Sequence, residues 1–153
     1  MAYASAVTGD VRPSGRLNST RTGMTVKVTA NYPLEEVKRL AKIASKGINH
    51  KHLRIWIKNC FWAFAGRAYN YNYAVVRIGK PHRFPIQNHK YRGLKRAPTY
   101  DLNDWKEALV VVIAHELRHL QQMRLNKPRS EVDAERWAVK RLEEYRVSKR
   151  STK

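Results

Sequence analysis

The sequence predicts an α+β domain, in which helices pack on a small twisted sheet of about three strands. Residues 53–58 alternate between apolar and polar side chains, which is typical of a strand with one buried face. Residues 73–78 form the second clear strand pattern, and Gly79 and Pro81 end it. Residues 108–114 are apolar without interruption and predict a buried helix. The chain has 153 residues, 42% of them hydrophobic, so it is long enough for one such domain with its own core.

The two ends of the chain differ in composition from the middle. Residues 1–23 are rich in Ser, Thr, Gly and Arg and show no apolar periodicity, which predicts a flexible basic N-terminal arm. Residues 148–153 are predicted to be a flexible basic tail on the same grounds. The domain is therefore expected between residues 24 and 147, and no internal repeat divides it.

The first part of this domain contains a short strand pattern and a helix pattern. Residues 24–30 alternate and could form a strand. Pro33 is expected at the first position of a helix, which Gly47 ends. The apolar residues of this helix recur at helical spacing and predict a stripe that packs on the sheet: Leu34, Val37, Leu40, Ala41 and Ala44.

The middle of the chain has weaker patterns. Residues 61–73 are rich in aromatic side chains and contain Gly66, which predicts a loop or a hairpin crossing. The three tyrosines within residues 69–73 are interpreted either as a base-stacking surface or as cover for a sheet edge. Prolines interrupt residues 80–100, which predicts a loop with one short strand around residues 91–95.

Two helices are predicted in the last third. Asp101 or Asn103 is expected to cap the first of them, which runs to about Met123. Ser130 is a good N-cap for the second, which runs over about residues 131–147. A short turn joins the two helices, so the start of the second should lie near the end of the first.

The net charge of +19 is distributed unevenly. Residues 24–100 contain 16 Lys or Arg against two Glu, whereas residues 101–147 contain nine residues of each sign. A basic half attracts polyanions, so the sequence predicts contact with nucleic acid or an acidic protein, unless this surface is only solvated. The densest candidate nucleic-acid-binding patch contains Lys90, Arg92, Lys95 and Arg96.

The expected compartment is the cytoplasm. Cys60 is the single cysteine, so an internal disulfide framework is excluded and a reducing environment is favoured. The first ten residues lack the charged start and apolar run of a signal peptide. No apolar stretch reaches the length needed to cross a membrane.

A His-Glu-x-x-His motif follows the apolar run. His115 and His119 are four residues apart, so on a helix both lie on one face, about 5–6 Å apart at Cβ. At that separation both imidazoles can reach one zinc ion, at about 2.0–2.1 Å each. Glu116 lies one residue off that line and could act as the base for a water in the site. The alternative is a core helix with two hydrogen-bonded histidines.

A third protein ligand must come from another residue type, because no histidine follows His119. The acids in the first turn of the last helix are the candidates, namely Glu131 and Asp133. Acids at a helix N-terminus are also favoured by the helix dipole alone. The residues themselves therefore leave the third ligand open.

Residues 109–146 resemble the catalytic core of gluzincin metallopeptidases, particularly small intracellular ones with a minimal zincin-like fold. In that family a Glu-x-x-Ala-(Asp/Glu/Asn) helix follows His-Glu-x-x-His, and residues 131–135 match this pattern. The resemblance implies that His115, His119 and Glu131 hold Zn²⁺, with Asp133 as the alternative third ligand. It also implies that Glu135 hydrogen-bonds a ligand histidine. Trp137-Ala138 matches the aromatic-Ala pair that often follows.

The function implied is zinc-dependent hydrolysis of a peptide bond, with Glu116 as the general base. An added substrate strand is expected to pair with an edge of the sheet, either at residues 73–78 or near Tyr91. Candidates for an oxyanion donor are Tyr91, Tyr100 and His89. The alternative function is a non-catalytic, basic nucleic-acid-binding protein. A third possibility combines the two, as a peptidase that acts on nucleic-acid-associated proteins.

Overall fold

A computed structural model describes residues 23–151, which fold as an α+β domain. The predicted fold class is therefore confirmed, with a four-stranded sheet in place of the expected three strands and with a second sheet of two strands. The predicted N-terminal arm, except for Gly23, and the last two residues of the predicted tail lie outside the described residues. In chain order the elements are β1 (Met24–Val28), α1 (Leu34–Ala44), β2 (Leu53–Asn59), β3 (Phe64–Asn70), β4 (Tyr73–Ile78), β5 (Ile86–Lys90), β6 (Thr99–Leu102), α2 (Trp105–Arg124) and α3 (Glu131–Ser151).

The larger sheet has the strand order β1-β2-β4-β3. β1, β2 and β4 are parallel, and β3 runs antiparallel to β4 as one edge of the sheet. The residues expected as a loop or hairpin crossing thus form a hairpin whose first strand is β3. Both edge candidates named from the sequence are wrong: β4 is an internal strand, and residues 91–93 form a 3₁₀ turn.

The core lies between one face of this sheet and the helices. Leu53, Ile55 and Ile57 alternate along β2, and each is at most 1% exposed. The apolar residues 108–114 of α2 are buried on all sides, because the sheet covers one side of α2 while α1 and α3 cover the others. α2 is therefore the central element of the fold, and its side chains are held in fixed positions by close packing.

The ends of the elements differ in detail from the sequence predictions. Asp104 caps α2 by accepting a hydrogen bond from the Glu107 amide at 2.9 Å, whereas Asp101 belongs to β6. The short strand expected at residues 91–95 is a turn, flanked by β5 and β6. α3 continues to Ser151, four residues beyond the expected end, because the basic residues of the predicted tail extend the helix. No helix among the described residues has the length and apolar content to span a bilayer.

A buried ion pair holds α3 in place along α2. Glu107 is 1% exposed, and Arg146 near the end of α3 donates to both of its oxygens at 2.7 and 3.0 Å. Burial raises the pKa of Glu107, but Arg146 and the Asn103 amide outweigh burial and hold its pKa below the usual value. This pair fixes the far end of α3, and thereby helps to fix the angle at which the first turn of α3 meets α2.

Candidate metal centre

The two histidines of the motif lie one turn apart on α2, at the end of its apolar segment. His115 and His119 are 3% and 1% exposed, and their Nε2 atoms are 3.1 Å apart. The helical repeat places both rings on one face, and the packed core around α2 keeps them there. Two buried imidazole nitrogens therefore face the same point in space.

Glu131, the first residue of α3, supplies a carboxylate at that point. Its Oε1 lies 3.0 Å from His115 Nε2 and 2.9 Å from His119 Nε2. Arg129 donates to the other oxygen at 3.0 Å. Burial opposes the charge of Glu131, but His119 and Arg129 lower its pKa to about 2, so the carboxylate is ionised at neutral pH.

These three side chains fit a metal ion. Among the described residues they form a group whose candidate ligand atoms all lie within 4.8 Å of one another. Ligands about 2.0–2.1 Å from a tetrahedral ion lie roughly 3.3 Å apart, so separations of 2.9–3.1 Å need only a small outward shift. Two imidazole nitrogens and one carboxylate oxygen are a donor set that suits several divalent metals, zinc among them.

Asp133, the alternative third ligand, is directed elsewhere. Its carboxylate accepts hydrogen bonds from Arg118 Nε at 2.7 Å and from Gln122 Nε2 at 2.9 Å. Its amide donates to Ser130 Oγ at 3.1 Å, so Ser130 caps α3 as its position predicts. Of these two acids, Glu131 is therefore the one that reaches the histidines.

Both histidines are oriented by hydrogen bonds at Nδ1. Glu135 Oε2 lies 2.6 Å from His115 Nδ1, and Gln122 Oε1 lies 2.9 Å from His119 Nδ1. Tyr100 donates a hydrogen bond to Glu135 Oε1 at 2.7 Å. Because the hydroxyl proton is used in this bond, Tyr100 is excluded as an oxyanion donor. Protons on the two Nδ1 atoms leave both Nε2 lone pairs directed at the centre, as metal ligation requires.

The two ring environments differ electrostatically. Burial lowers the pKa of both imidazoles, and at His119 this effect prevails. At His115 the hydrogen bond that Nδ1 donates to Glu135, together with the nearby carboxylates, outweighs burial and raises the pKa. Glu135, Glu116 and Glu131 therefore favour a positive charge at His115. The same acids would favour a cation bound between the two rings.

The side chain of Glu116 lies against the edge strand β3. It is 5% exposed, and within the described part of the chain its Oε1 is buried without a hydrogen-bond partner. Burial raises the pKa of this carboxyl. A Cβ on Gly66 of β3 would lie only 2.7 Å from Glu116 Cγ, so the side chain fits because Gly66 has none. The sequence did not predict Gly66 as a site residue, since its role depends on contact with a helix that is distant in the sequence.

An open cleft of about 440 Å³ adjoins these residues. β3 forms one wall with residues 64–66, and Val111 and Val112 of α2 lie along the floor. Tyr91 and His89 close the side towards β5. The Tyr91 ring stacks on His115 with centroids 4.9 Å apart, whereas His89 is held edge-on between Phe64 and Tyr100. The cleft therefore leads from the free edge of the sheet to the candidate metal ligands.

The predicted nucleic-acid patch lies at the end of β5 and on the turn that leads to β6. Lys90 Nζ donates to the Ala97 carbonyl at 2.7 Å, so this ammonium is used within the fold. Arg92 adopts a left-handed conformation with φ of 46° and lies beside Tyr91 at the cleft. Lys95 and Arg96 are exposed on the following turn. Nucleic-acid binding by this patch stays a prediction, with Arg92, Lys95 and Arg96 as its exposed members.

Comparison with known proteins gave no match. No protein-family profile, curated protein or solved structure is significantly similar to this chain. The function of the site is therefore inferred from the chemistry of its own residues.

Proposed function

We propose that the protein is a zinc-dependent metallopeptidase that hydrolyses peptide bonds, with Glu116 as the general base. The observation that carries this proposal is the convergence of His115, His119 and Glu131, with the buried carboxyl of Glu116 next along α2 from His115 and its Oε1 without a hydrogen-bond partner among the described residues. Three protein ligands beside an open cleft are typical of a catalytic zinc site, whereas structural sites are closed by four. When bound, zinc would lower the pKa of a water molecule towards about 7 and polarise the substrate carbonyl.

Glu116 is suited to move a proton in this cleft. Its raised pKa, caused by burial, brings the carboxyl closer to the pH at which it must both accept and release a proton. It would take the proton of the attacking water and return it to the leaving amine. Oε1 has no hydrogen-bond partner within residues 23–151, so that oxygen is available for the first of these transfers.

The substrate would bind as an extended chain along β3. An edge strand presents unpaired backbone groups, which a peptide can pair with as an added strand. The cleft begins at residues 64–66 of this strand and ends at His115, so a peptide bond placed at Gly66 would lie close to Glu116. Ala65 has a small side chain and Gly66 has none, which leaves room for that approach.

The test of this proposal is zinc-dependent cleavage by the full chain. Removal of metal with a chelator should abolish cleavage of an unstructured protein substrate, and one equivalent of zinc per chain should restore it. Mass spectrometry of the products would identify the bonds cut. If the zinc-loaded protein cuts no substrate in a peptide library but still binds nucleic acid, the non-catalytic alternative is favoured instead.

Tyr91 is the best placed donor for the oxyanion that forms from the substrate carbonyl. Its ring stacks on His115, and burial together with the charges of Glu131 and Glu116 raises the pKa of its phenol. The phenol therefore stays protonated at neutral pH and can donate a hydrogen bond. Tyr91 lies directly against a ligand histidine, whereas His89 is held between Phe64 and Tyr100.

Tyr91→Phe should lower kcat by about 10²–10³-fold and change KM little, because one oxyanion donor is removed while the ring remains. Zinc affinity and substrate affinity in the ground state should be retained. A phosphinic peptide, whose oxygens mimic the tetrahedral state, should bind the variant more weakly by a similar factor. Tyr71→Phe, an exposed position in the β3–β4 turn, is the matched control. An unchanged kcat in the Tyr91 variant would exclude this role.

A further inference from the structure

One face of the four-stranded sheet is not covered by the helices of the described domain. Along β2, residues 53, 55 and 57 enter the core, so Arg54, Trp56 and Lys58 lie on the opposite face. The register places Lys27 of β1 beside Trp56, and Arg77 of β4 beside Lys58. On β3, Ala65 pairs with Arg77 and Arg67 pairs with Val75, so Arg67 belongs to the same face. The buried core cluster contains inner-face residues of β2 and β4 together with residues of all three helices.

The charge of this face is uniformly positive. Five basic residues occupy it, and the chain has no acidic residue between positions 37 and 100. Within residues 23–151 none of the five forms an ion pair, whereas Arg118, Arg141 and Arg146 on the helical side all do. Four strands about 4.8 Å apart spread these charges over roughly 14 Å. The five basic residues are Lys27, Arg54, Lys58, Arg67 and Arg77.

Aromatic rings alternate with these charges. The ammonium groups of Lys27 and Lys58 lie 4.5 and 4.4 Å from the Trp56 ring centroid. Arg54 lies over Tyr73 at 4.7 Å, and Arg67 lies near Tyr69 at 5.6 Å. Tyr69 is 48% exposed and stacks on Tyr73, with an interplanar angle of 29°. Indole and phenol rings are therefore present within a few ångströms of the cationic groups.

We propose that this open sheet face, defined by Lys27, Arg54, Trp56, Lys58, Arg67 and Arg77, binds single-stranded nucleic acid. The cationic groups would contact phosphates, and bases would stack on Tyr69 and Trp56 after local side-chain movement. Bases in a duplex are already stacked and paired, so this mixture of rings and cations favours a single strand. An acidic peptide would match the charge, but its carboxylate side chains have no aromatic ring to stack on Tyr69 and Trp56.

The N-terminal residues 1–22 are a poorer occupant of this face. They contain three Arg and one Asp, so their charge has the same sign as that of the face. The partner must instead supply negative charge at several regularly spaced positions.

Strand β3 contributes Arg67 to the open sheet face while Gly66 borders the cleft, so one chain could hold a nucleic acid and a protein substrate together. The binding proposal itself does not depend on the peptidase proposal.

The test is fluorescence anisotropy with the full-length chain, a labelled 20-nucleotide single strand and a duplex of the same sequence, over a range of salt concentrations. The single strand should bind more tightly than the duplex. In the triple variant Lys58→Gln, Arg67→Gln, Arg77→Gln, the slope of log affinity against log salt should fall by up to about 2, at roughly 0.7 per phosphate contact. The matched control Lys42→Gln, Arg136→Gln, Lys140→Gln removes the same charge from exposed positions on α1 and α3 and should change the slope by less than about half as much.

Tyr69→Ala separates stacking from charge. It should weaken single-strand binding by roughly tenfold without changing the salt slope, because a ring is lost and no charge is. Circular dichroism and zinc stoichiometry would verify the fold of each variant. Equal effects of the two triple variants, a duplex preference, or tighter binding of polyglutamate than of the single strand would each overturn the proposal. So would an absence of single-strand binding at low salt.

Discussion

Glu116→Gln should reduce peptide hydrolysis by about 10²–10⁴-fold while the protein still binds one zinc per chain. Glutamine has the same shape as glutamate, but its amide cannot accept the proton of the attacking water. The proposed ligand atoms are on His115, His119 and Glu131, so the substitution leaves that donor set intact. The measurement is kcat/KM on a peptide identified by cleavage mapping, together with zinc content of the same sample.

The same variant gives a second, independent result. Burial raises the pKa of Glu116 in the folded protein, so ionisation of this carboxyl costs stability above the pKa of the unfolded chain. The metal-free glutamine variant should therefore melt at the same temperature as the parent or higher at pH 7. The difference should disappear at pH values below about 4, where the carboxyl is protonated in both states. A lower melting temperature at pH 7 would contradict this account of its environment.

Glu143→Gln is the control for Glu116→Gln, because Glu143 is exposed on α3 and away from the cleft. Its activity should equal that of the parent. Parental activity in a zinc-loaded Glu116→Gln sample would mean that another group is the base. Loss of zinc from that sample would instead show that the effect of Glu116 on catalysis cannot be separated from an effect on metal binding.

His115→Ala and His119→Ala should each abolish stoichiometric zinc binding at micromolar protein concentration, because each removes one of only three protein ligands. Glu131→Gln should weaken binding strongly, since the amide is neutral. Glu135→Gln should weaken it by roughly 10–100-fold, because Glu135 orients His115 without contacting the metal itself. Competition with a chelator of known affinity would measure all four.

Asp133→Asn is the matched control for Glu131→Gln, because both change one acid to its amide in the first turn of α3. Asp133 is bonded to Arg118 and Gln122, so its substitution should leave zinc affinity within a few-fold of the parent. If Asp133→Asn weakens zinc binding and Glu131→Gln does not, the third ligand has been assigned to the wrong residue. Zinc retained by both histidine variants would exclude this centre altogether.

Some features of the site followed from the sequence, because local geometry dictates them. A four-residue spacing within one helix places two histidines on one face, whatever the helix packs against. The position of Glu116 beside that pair follows from the same repeat. Ser130 fixes the start of α3, because its side chain satisfies an amide of the first turn. The α+β class also followed, since alternating and helical apolar patterns depend on neighbouring residues.

Only the tertiary structure decided which distant groups meet at the centre. Glu131 and Asp133 are equivalent at the start of a helix, and the angle between α2 and α3 directs one to the histidines and the other to Arg118. The same holds for Tyr91 and Gly66, whose contacts cross long stretches of chain. Strand order made β3 an edge of the sheet, and register gathered the basic residues of four strands on one face. Strand pairing depends on long-range contacts that no short stretch of sequence specifies, which is why the peptide cleft and the open sheet face emerged only from the fold.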